Sequence, residues 1–474
     1  MDGIEESRSA EDLVKESLLE RFQQNPKQEW NQKSIYRIPC SMRDLNNKAY
    51  QPRVVSIGPY HNGNQHLRPM EEHKYRALRH LLAHTHNITV EDLVAYFKND
   101  QQFMEKVMVS YSTPIDSQWK DTDAFTFLMV LDGCFLLELF LSSNSARSCE
   151  TDYRSVSDWC YDDDDPIFSV HAERRGVVPY VKLDMLLVEN QIPLIVLEKL
   201  ASFVGLVVNL NDLIRSFYGC WYREQDETLK DPPGLHVLDV YRKGRLLVGE
   251  YTGWTVPKSA KELDEHGVRF IRSSGDIGIG SFKDVSFGTG QKRNKIGRLY
   301  DVPRSSLSQK IFFPLRILHG YLHLPLLIID ETTEPILLNL MAFELLHLGI
   351  EERDMAVTKY VFLMSSLIRS EEDVRCLRNY SILFSSPQKS NGSVVSFFAG
   401  ITRNVVMRDD GRNASKVNQE ILELCRKKVN RLLGTWSHNF GSELRAWLFT
   451  LVITYSVLFS LVNALFNIIR YIQE

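Results

Sequence analysis

Apolar residues recur at helical spacing along most of the chain, and this pattern predicts a mainly helical protein. The clearest case is residues 124–141, whose apolar stripe consists of Leu128, Leu131, Phe135 and Leu139. Steps of three and four residues place such a stripe on one helical face. The same spacing predicts further helices at residues 69–82, 90–108, 183–200 with a break at Pro193, 235–248, 335–348, 355–368, 374–383, 394–406 and 415–433.

A smaller part of the chain has the pattern of extended structure. Between residues 268 and 287, short alternations of apolar residues stand among many glycines, which predicts a small β element. Residues 35–39 and 53–60 are predicted to be extended, because proline closes or interrupts each of them. The predicted fold class is therefore mainly α, of the α+β type, with a multi-helix body and a minor sheet.

Residues 446–469 form the longest stretch without a charged residue, and they predict one C-terminal transmembrane helix. A helix of that length covers about 36 Å, enough to cross the hydrocarbon core of a bilayer with some tilt. Trp447 and Tyr471 flank it as interfacial anchors, because their amphipathic rings prefer the lipid–water boundary. The helix predicted at 124–141 contains Asp132 and Glu138, which argue against a second span.

A polar stripe runs along this predicted span, consisting of Ser456, Ser460, Asn463 and Asn467. The steps of four, three and four residues place the stripe on one helical face. Polar side chains in lipid seek partners, so the stripe suggests self-association of two spans. The alternative is that the hydroxyls bond to their own backbone and that Asn467 lies at the interface.

Basic residues flank the span unequally. Five precede it, Arg426, Lys427, Lys428, Arg431 and Arg445, and Arg470 follows it. Such a bias keeps the basic side in the cytosol, which predicts a tail-anchored protein with a cytosolic N-terminal body. No apolar signal-peptide core is present near Met1, in agreement with that orientation. The pattern does not choose between the plasma membrane and the endoplasmic reticulum.

Composition narrows the classes of partner. The net charge of −4, with 56 basic and 60 acidic residues, gives no general attraction to nucleic acid, and no nucleic-acid partner is expected. The seven cysteines are scattered and never spaced as C-x-x-C, so they suggest reduced thiols rather than a zinc site or a disulfide framework. The bilayer, an unidentified protein and a second copy of the chain remain as expected partners.

The chain is too long for one hydrophobic core, and changes in composition along it indicate separate segments. Residues 1–33 are predicted to be a flexible acidic segment, and residues 34–435 a helical domain. Within that domain, residues 142–166 contain four consecutive aspartates, Asp162 to Asp165, and are predicted to be a solvated loop. Residues 289–318 are predicted to be a basic insertion, whose stretch 292–316 suggests contact with anionic lipid or an acidic partner, or a solvated loop.

The best candidate for chemistry is a histidine cluster. His73, His80 and His84 are spaced by seven and four residues, which places them on one face of the helix predicted from Pro69. A metal-dependent hydrolase using them is the enzymatic alternative. However, Leu81 stands where the zincin pattern requires glutamate. No phosphate-binding loop, nucleophile elbow or kinase signature occurs in the sequence, so no catalytic, cofactor-binding or metal residue is assigned.

Several ordered blocks resemble the plant family called domain of unknown function 247. They are residues 35–39, 50–61 (Tyr-Gln-Pro-Arg-Val-Val-Ser-Ile-Gly-Pro-Tyr-His), 70–74, 131–140, 184–193 (Asp-Met-Leu-Leu-Val-Glu-Asn-Gln-Ile-Pro), 339–344 and the C-terminal hydrophobic helix. The resemblance covers residue 35 to the end, with two departures: the basic stretch looks like an addition, and residues 436–445 match poorly.

The resemblance implies a membrane-anchored plant protein without established enzymatic activity. Some members of that family are implicated in pollen–stigma self-incompatibility. The leading hypothesis is therefore a non-enzymatic recognition, signalling or scaffold protein attached to a membrane on its cytosolic side. The alternative is an extracellular-facing ligand of the self-incompatibility type.

Overall fold

A computed structural model describes the chain in segments. The described residues are 32–44, 46–85, 88–112, 119, 121–145, 161–162, 164–169, 171–172, 176–219, 233–246, 256, 258–273, 282, 284–289, 320–347, 355–403, 416–426 and 450–460. The basic stretch at 292–316 lies outside them, as does the N-terminal segment up to residue 31.

The described residues are mainly helical, which confirms the predicted class. The helices are α1 Cys40–Arg43, α2 Arg68–Ala83, α3 Val90–Lys98, α4 Gln101–Val109, α5 Thr122–Ser145, α6 Val178–Asp184, α7 Leu194–Phe203, α8 Leu210–Phe217, α9 Val237–Gly244, α10 Ala260–Glu265, α11 Thr333–His347, α12 Ala356–Leu367, α13 Glu371–Asn379, α14 Asn391–Ile401, α15 Lys416–Arg426 and α16 Thr450–Ser460. The strands are β1 Val268–Arg272, β2 Ser286–Thr289, β3 Gly320–Leu324, β4 Leu327–Ile329 and β5 Leu383–Ser385.

The chain divides into two compact units. Unit 1 comprises Met1–Val248 and Asp330–Thr358, and unit 2 comprises Gly249–Ile329 and Lys359–Glu474. In unit 1, helix α5 packs against α2, α3, α7 and α8. Ile35 pairs with Tyr111 in an isolated parallel bridge, so the predicted extended segment at 35–39 joins this core.

Helix α5 is apolar because it is surrounded by protein. Among the described residues, Thr122–Ser143 is the one helix long and apolar enough to cross a membrane by length and composition. Its most apolar stretch of 18 residues has a mean hydropathy of 2.0, and 89% of that stretch is buried inside the molecule. Burial on all sides explains why the helix is apolar all round, as a core helix is.

Unit 2 contains the predicted small β element. Strand β3 lies between β1, to which it runs parallel, and β2, to which it runs antiparallel, with Phe270 and Phe287 both level with Leu322. Strands β4 and β5 form a separate parallel pair. Helix α10 packs on β1, and α13 packs on α10 and α14. The prediction of a β element at 268–287 was correct for β1 and β2 but missed β3, β4 and β5.

Apolar spacing misplaced two helix boundaries, and local capping explains the first of them. The helix predicted at 90–108 is two helices, since the Asp100 side chain accepts a hydrogen bond from the Phe103 N–H (3.1 Å) and begins α4 anew. The helix predicted at 183–200 ends at Asp184, and α7 starts only after Pro193. The residues between them form turns that hold part of the functional site.

A glycine sets the distance between α5 and α7. A Cβ atom on Gly133 would lie 2.5 Å from Leu200 Cδ1 and 3.2 Å from Val196 Cγ1. Gly400, in α14, has no heavy atom within 4 Å of the same position. The two glycines thus differ in the space around them while both are helical.

We expect Gly133→Ala to lower the free energy of unfolding by about 1–3 kcal/mol, because the added methyl forces α5 and α7 apart. Gly400→Ala is the matched control, and it should raise stability by up to about 1 kcal/mol through helix propensity. Urea denaturation followed by circular dichroism measures both. Equal effects of the two substitutions would contradict the close approach described here.

Candidate functional site

The segment 51–61 crosses unit 1 without a strand partner, so its backbone depends on side chains for hydrogen bonds. Asp184, at the end of α6, accepts from three successive backbone N–H groups, those of Arg53, Val54 and Val55, at 2.7–3.0 Å. Burial raises the pKa of Asp184 to about 6, although the three N–H donors act in the opposite direction. Buried N–H groups require acceptors, and here the carboxylate supplies the acceptors that a neighbouring strand would supply in a β-sheet.

Asn190 and Gln191 continue the same role in the turn that follows α6. The Asn190 side chain accepts from the Ile57 N–H (2.7 Å) and donates to the Val55 carbonyl (3.0 Å). Gln191 Nε2 donates to the carbonyl groups of Met185 and Leu187, so it closes the turn itself. The turn and segment 51–61 are therefore held together by amides that are about 1% exposed.

A buried ion pair fixes the next part of the segment. Lys74 Nζ in α2 lies 2.6 Å from Asp132 Oδ1 in α5, and both side chains are fully buried. Asp132 Oδ2 also accepts from the Gly58 N–H at 2.7 Å. Glu71, one turn before Lys74, supplies a second carboxylate at 2.8 Å.

The neighbouring opposite charges keep Lys74 and Asp132 ionised at neutral pH. Burial raises the pKa of Asp132 to about 6, although Lys74 and the Gly58 N–H act in the opposite direction. Burial opposes the ammonium of Lys74, but Asp132 and Glu71 raise the pKa of Lys74 above its ordinary value. Both partners are therefore charged near pH 7, in an interior where either one without the other would be strongly destabilising.

Gly58 occupies a position that no other residue fits well. Its φ is +74°, and a Cβ atom there would lie 2.5 Å from the Gln191 carbonyl oxygen. The backbone thus passes directly against the turn after α6 before it reaches Pro59 and Tyr60. This close approach explains the glycine of the Ile-Gly-Pro-Tyr-His block.

Glu189 connects three parts of unit 1. It accepts from the Ile38 N–H (2.6 Å) and from Arg43, and its Oε2 lies 3.3 Å from His61 Nε2. Burial would raise the pKa of Glu189, but the bonds from His61, Ile38 and Arg43 lower it below its ordinary value. The carboxylate therefore stays ionised and orients both the His61 ring and the Arg43 guanidinium.

Helix α11 contributes two more side chains of the same kind. Asn339 Oδ1 accepts from the Val188 N–H (3.0 Å), and its Nδ2 donates to the Ala49 carbonyl (2.8 Å). Glu344 accepts from the Thr358 N–H (2.8 Å) and pairs with Arg242 (2.9 Å). The polar residues of the block 339–344 thus hold other segments of unit 1 in place.

Of the three candidate histidines, His73 and His80 lie in α2, and His84 is the residue that directly follows it. His73 Nδ1 lies 2.7 Å from Arg76. His80 Nδ1 lies 3.0 Å from Glu138 Oε2, and His84 Nδ1 lies 2.8 Å from the backbone carbonyl of His80. In the part of the chain that the structure describes, no group of three His, Cys, Asp or Glu residues could hold a metal ion. The hydrolase alternative gains no support from this geometry.

The acidic loop differs from its prediction. Helix α5 extends to Ser145, so the loop predicted at 142–166 begins later, and residues 146–160 lie outside the described residues. Asp162 and Asp164 are exposed as expected, but Asp165 is 6% exposed, pairs with Arg76 and accepts from the N–H groups of Ile167 and Phe168. A run of like charges does not reveal which member caps a buried turn.

The candidates for membrane self-association are described in part. Ser456 Oγ donates to the Ile453 carbonyl, and Ser460 Oγ donates to the Ser456 carbonyl, at 2.8 and 2.9 Å. These bonds correspond to the alternative in which hydroxyls bond to their own backbone. Asn463, Asn467, Trp447 and Tyr471 lie outside the described residues, so self-association stays a prediction.

Residues 51–61 are called the motif loop below, and the buried side chains that hold this loop form a structural site that sequence patterns did not single out. Glu189 and Asn190 stand among apolar residues in the block Met-Leu-Leu-Val-Glu-Asn-Gln-Ile-Pro, Asp184 directly precedes that block, and Asp132 interrupts an apolar helix. A charged residue in an otherwise buried run was the available signal, because such a residue is almost always paired. The arrangement defines a mainly helical protein whose polar motif residues bind its own backbone.

This chain belongs to the plant protein family of unknown function called domain of unknown function 247, which it matches over residues 35–461. It is similar to a UPF0481 protein of Arabidopsis thaliana, with 28% identity over 93% of this chain and 87% of that protein. It is also similar to a putative UPF0481 protein of the same plant, with 24% identity over 85% of this chain and 86% of the other. No solved structure matches the chain. The predicted family is thereby confirmed.

We expect Lys74→Met to lower the free energy of unfolding by about 3–5 kcal/mol, because it leaves Asp132 charged and buried. Asp132→Asn keeps an acceptor for the Gly58 N–H, and the double variant should lose less than the sum of the single ones. Lys98→Met is the matched control. Lys98 pairs with Asp123 at 2.6 Å, but the two side chains are 50% and 60% exposed, so its loss should cost under about 1 kcal/mol.

Chemical denaturation of the four variants measures these differences. If Lys74→Met were no more destabilising than Lys98→Met, the buried pair would not be the constraint described here. Additive single effects in the double variant would contradict a direct coupling between the two charges.

Proposed function

We propose that this protein is a non-enzymatic, membrane-attached recognition or scaffold protein, with its helical body on the cytosolic side of a membrane. The observation that carries the proposal is the exposure of helix α16. Its large apolar side chains are 50–76% exposed, and they are Leu451, Val452, Ile453, Tyr455, Val457, Leu458 and Phe459. In water such a surface would be unfavourable, because each exposed apolar side chain retains its hydration.

The apolar residues of α16 cover all sides of the helix rather than one stripe. Nine successive positions, from 451 to 459, include seven of them, and successive residues are turned by about 100°. A helix that is apolar all round lies in a protein core or in a membrane. Exposure distinguishes α16 from the core helix α5, and lipid is the surrounding that suits it.

The polar groups of α16 also suit hydrocarbon. The hydroxyl of Thr454 donates to the Thr450 carbonyl at 2.8 Å, as those of Ser456 and Ser460 do to their own backbone. Hydroxyls bonded within the helix leave no donor that requires water, which is the condition for a helix in lipid. The segment predicted from the sequence to be transmembrane, residues 446–469, includes this helix.

The motif carboxylates support a non-enzymatic role for the body. Asp132, Asp184 and Glu189 each accept hydrogen bonds from backbone N–H groups of other segments. A catalytic acid or base needs a proton position open to substrate, whereas these groups are engaged in holding chain segments. A body stabilised in this way presents rigid loops, as recognition and scaffold proteins do.

The cytosolic orientation rests on the flanking charges. Arg426, Lys427, Lys428, Arg431 and Arg445 precede the proposed span, and Arg470 follows it. Basic residues near a span resist translocation, so the side with more of them stays in the cytosol.

Deletion of residues 446–474 is expected to move the protein from the membrane to the soluble fraction, because the apolar helix is then absent. The double variant Val452→Lys with Phe459→Lys should do the same, since each lysine at the centre of a span costs about 2.5–3.5 kcal/mol. Val207→Lys is the control, because Val207 is already 98% exposed in the body and should leave partition unchanged. Carbonate extraction and fractionation measure the outcome, and a folded truncation that stayed in carbonate-resistant membranes would refute the anchor.

The cytosolic orientation predicts that Asn87, Asn379, Asn391 and Asn413, which stand in N-x-S/T sequons, carry no glycan. The protein extracted from plant membranes should therefore keep its electrophoretic mobility after treatment with an N-glycosidase. A glycosylated plant protein in the same extract is the control for enzyme activity. A mobility shift of this chain would place the body in the lumen or outside, as the self-incompatibility alternative requires.

A further inference from the structure

The motif loop surrounds an open cavity of about 430 Å³ in unit 1. Its lining consists of Gln51, Pro52, His61, Asn64, Gln65 and His66. We propose that this cavity binds a small, uncharged, polyhydroxylated ligand of the size of a monosaccharide or disaccharide.

The cavity has the size and rigidity of a binding site. Small-molecule sites occupy roughly 300–1,000 Å³ and are largely formed before the ligand enters. Here the position of Pro52 is fixed, because Asp184 holds the backbone of the next three residues, Arg53, Val54 and Val55. A second lining residue, His66, is tied to Pro52, since its Nε2 lies 3.1 Å from the Pro52 carbonyl.

The orientation of His61 is also fixed. Its ring is 9% exposed, and its Nε2 lies 3.3 Å from Glu189 Oε2. Tyr60 beside it contacts the Arg37 guanidinium at 4.2 Å and the Tyr111 ring at 5.5 Å. A buried carboxylate that orients an imidazole at a cavity wall is the kind of support that a precise site requires.

Two amides offer hydrogen bonds to a ligand. Asn64 and Gln65 are exposed, and their side chains bond to no other residue in the part of the chain that the structure describes. An amide side chain has two donors and one acceptor with two lone pairs, so each amide can bind adjacent hydroxyl groups in either sense. Gly63, with φ +86°, makes the turn that brings the two amides to the rim.

The chemistry of the lining favours a neutral ligand over an anion. All six lining residues are amides, imidazoles or proline, so none of them carries a permanent charge. A sugar ring carries hydroxyls at its edge and C–H groups on its faces. Amides and imidazoles match the edge, while Pro52 and the histidine rings supply apolar surface for the faces.

The test uses the full chain in lipid nanodiscs, without sugar-based detergents, and ligand-observed saturation-transfer NMR. The probes are glucose, galactose, sucrose and myo-inositol, with inorganic phosphate and acetate as charged comparisons. We expect at least one polyol probe to receive saturation. The variant Asn64→Ala with Gln65→Ala should weaken that binding roughly tenfold, since it removes two sets of hydrogen bonds.

The matched control is Gln101→Ala with Gln102→Ala, which removes two exposed amides from helix α4 and should leave binding unchanged. Gln51→Ala, a third position in the lining, should weaken binding in the same direction and guards against a local folding defect in the first variant. The proposal is overturned if no polyol binds the unmodified chain, if both double variants bind equally, or if phosphate or acetate binds more tightly than every polyol.

Discussion

The buried ion pair between Lys74 and Asp132 is the interaction on which unit 1 depends. Lys74 comes from α2, Asp132 comes from α5, and the Gly58 N–H joins them from the motif loop. The pair therefore holds two helices and an irregular segment at a single point. An irregular segment can enter a core only if its backbone groups find partners there. Side chains with formal charge are the strongest acceptors available for that purpose.

The remaining polar motif residues extend the same solution along the chain. Asp184 serves residues 53–55, Asn190 serves residue 57, and Glu189 serves Ile38 while it orients His61. Asp184 lies at the end of α6, and Glu189 and Asn190 lie in the turn between α6 and α7. The side chains of this turn therefore form hydrogen bonds with two other segments, one around Ile38 and one at residues 53–57. The exposed side chains of Asn64 and Gln65 follow the segment that is held in this way, which supports the proposed ligand site.

Periodicity in the sequence predicted much of this fold and little of its site. Helix α5 was predicted from its apolar stripe, and α2 from Pro69, because both signals are local. The turn at 185–193 was predicted to be helical, since its apolar residues have helical spacing, but long-range bonds from Asn190 to Val55 and Ile57 override that preference. The histidines of α2 attracted a metal hypothesis by spacing alone. The partner of His80, Glu138, comes from α5, so that contact becomes visible only when the two helices are packed together.

Helices α5 and α16 show why hydropathy by itself does not assign a membrane span. Both are apolar all round, yet α5 carries Asp132 and Glu138, and each carboxylate meets a cationic or imidazole group on α2. It also carries Gly133, which lets α7 approach closely. Helix α16 has hydroxyls that bond to its own backbone and apolar side chains that remain exposed. A helix adapted to a protein core carries specific polar partners and small residues at contacts, whereas a helix adapted to lipid satisfies its polar groups internally. This difference supports the proposal that α16, and not the more buried α5, is the segment that meets a bilayer.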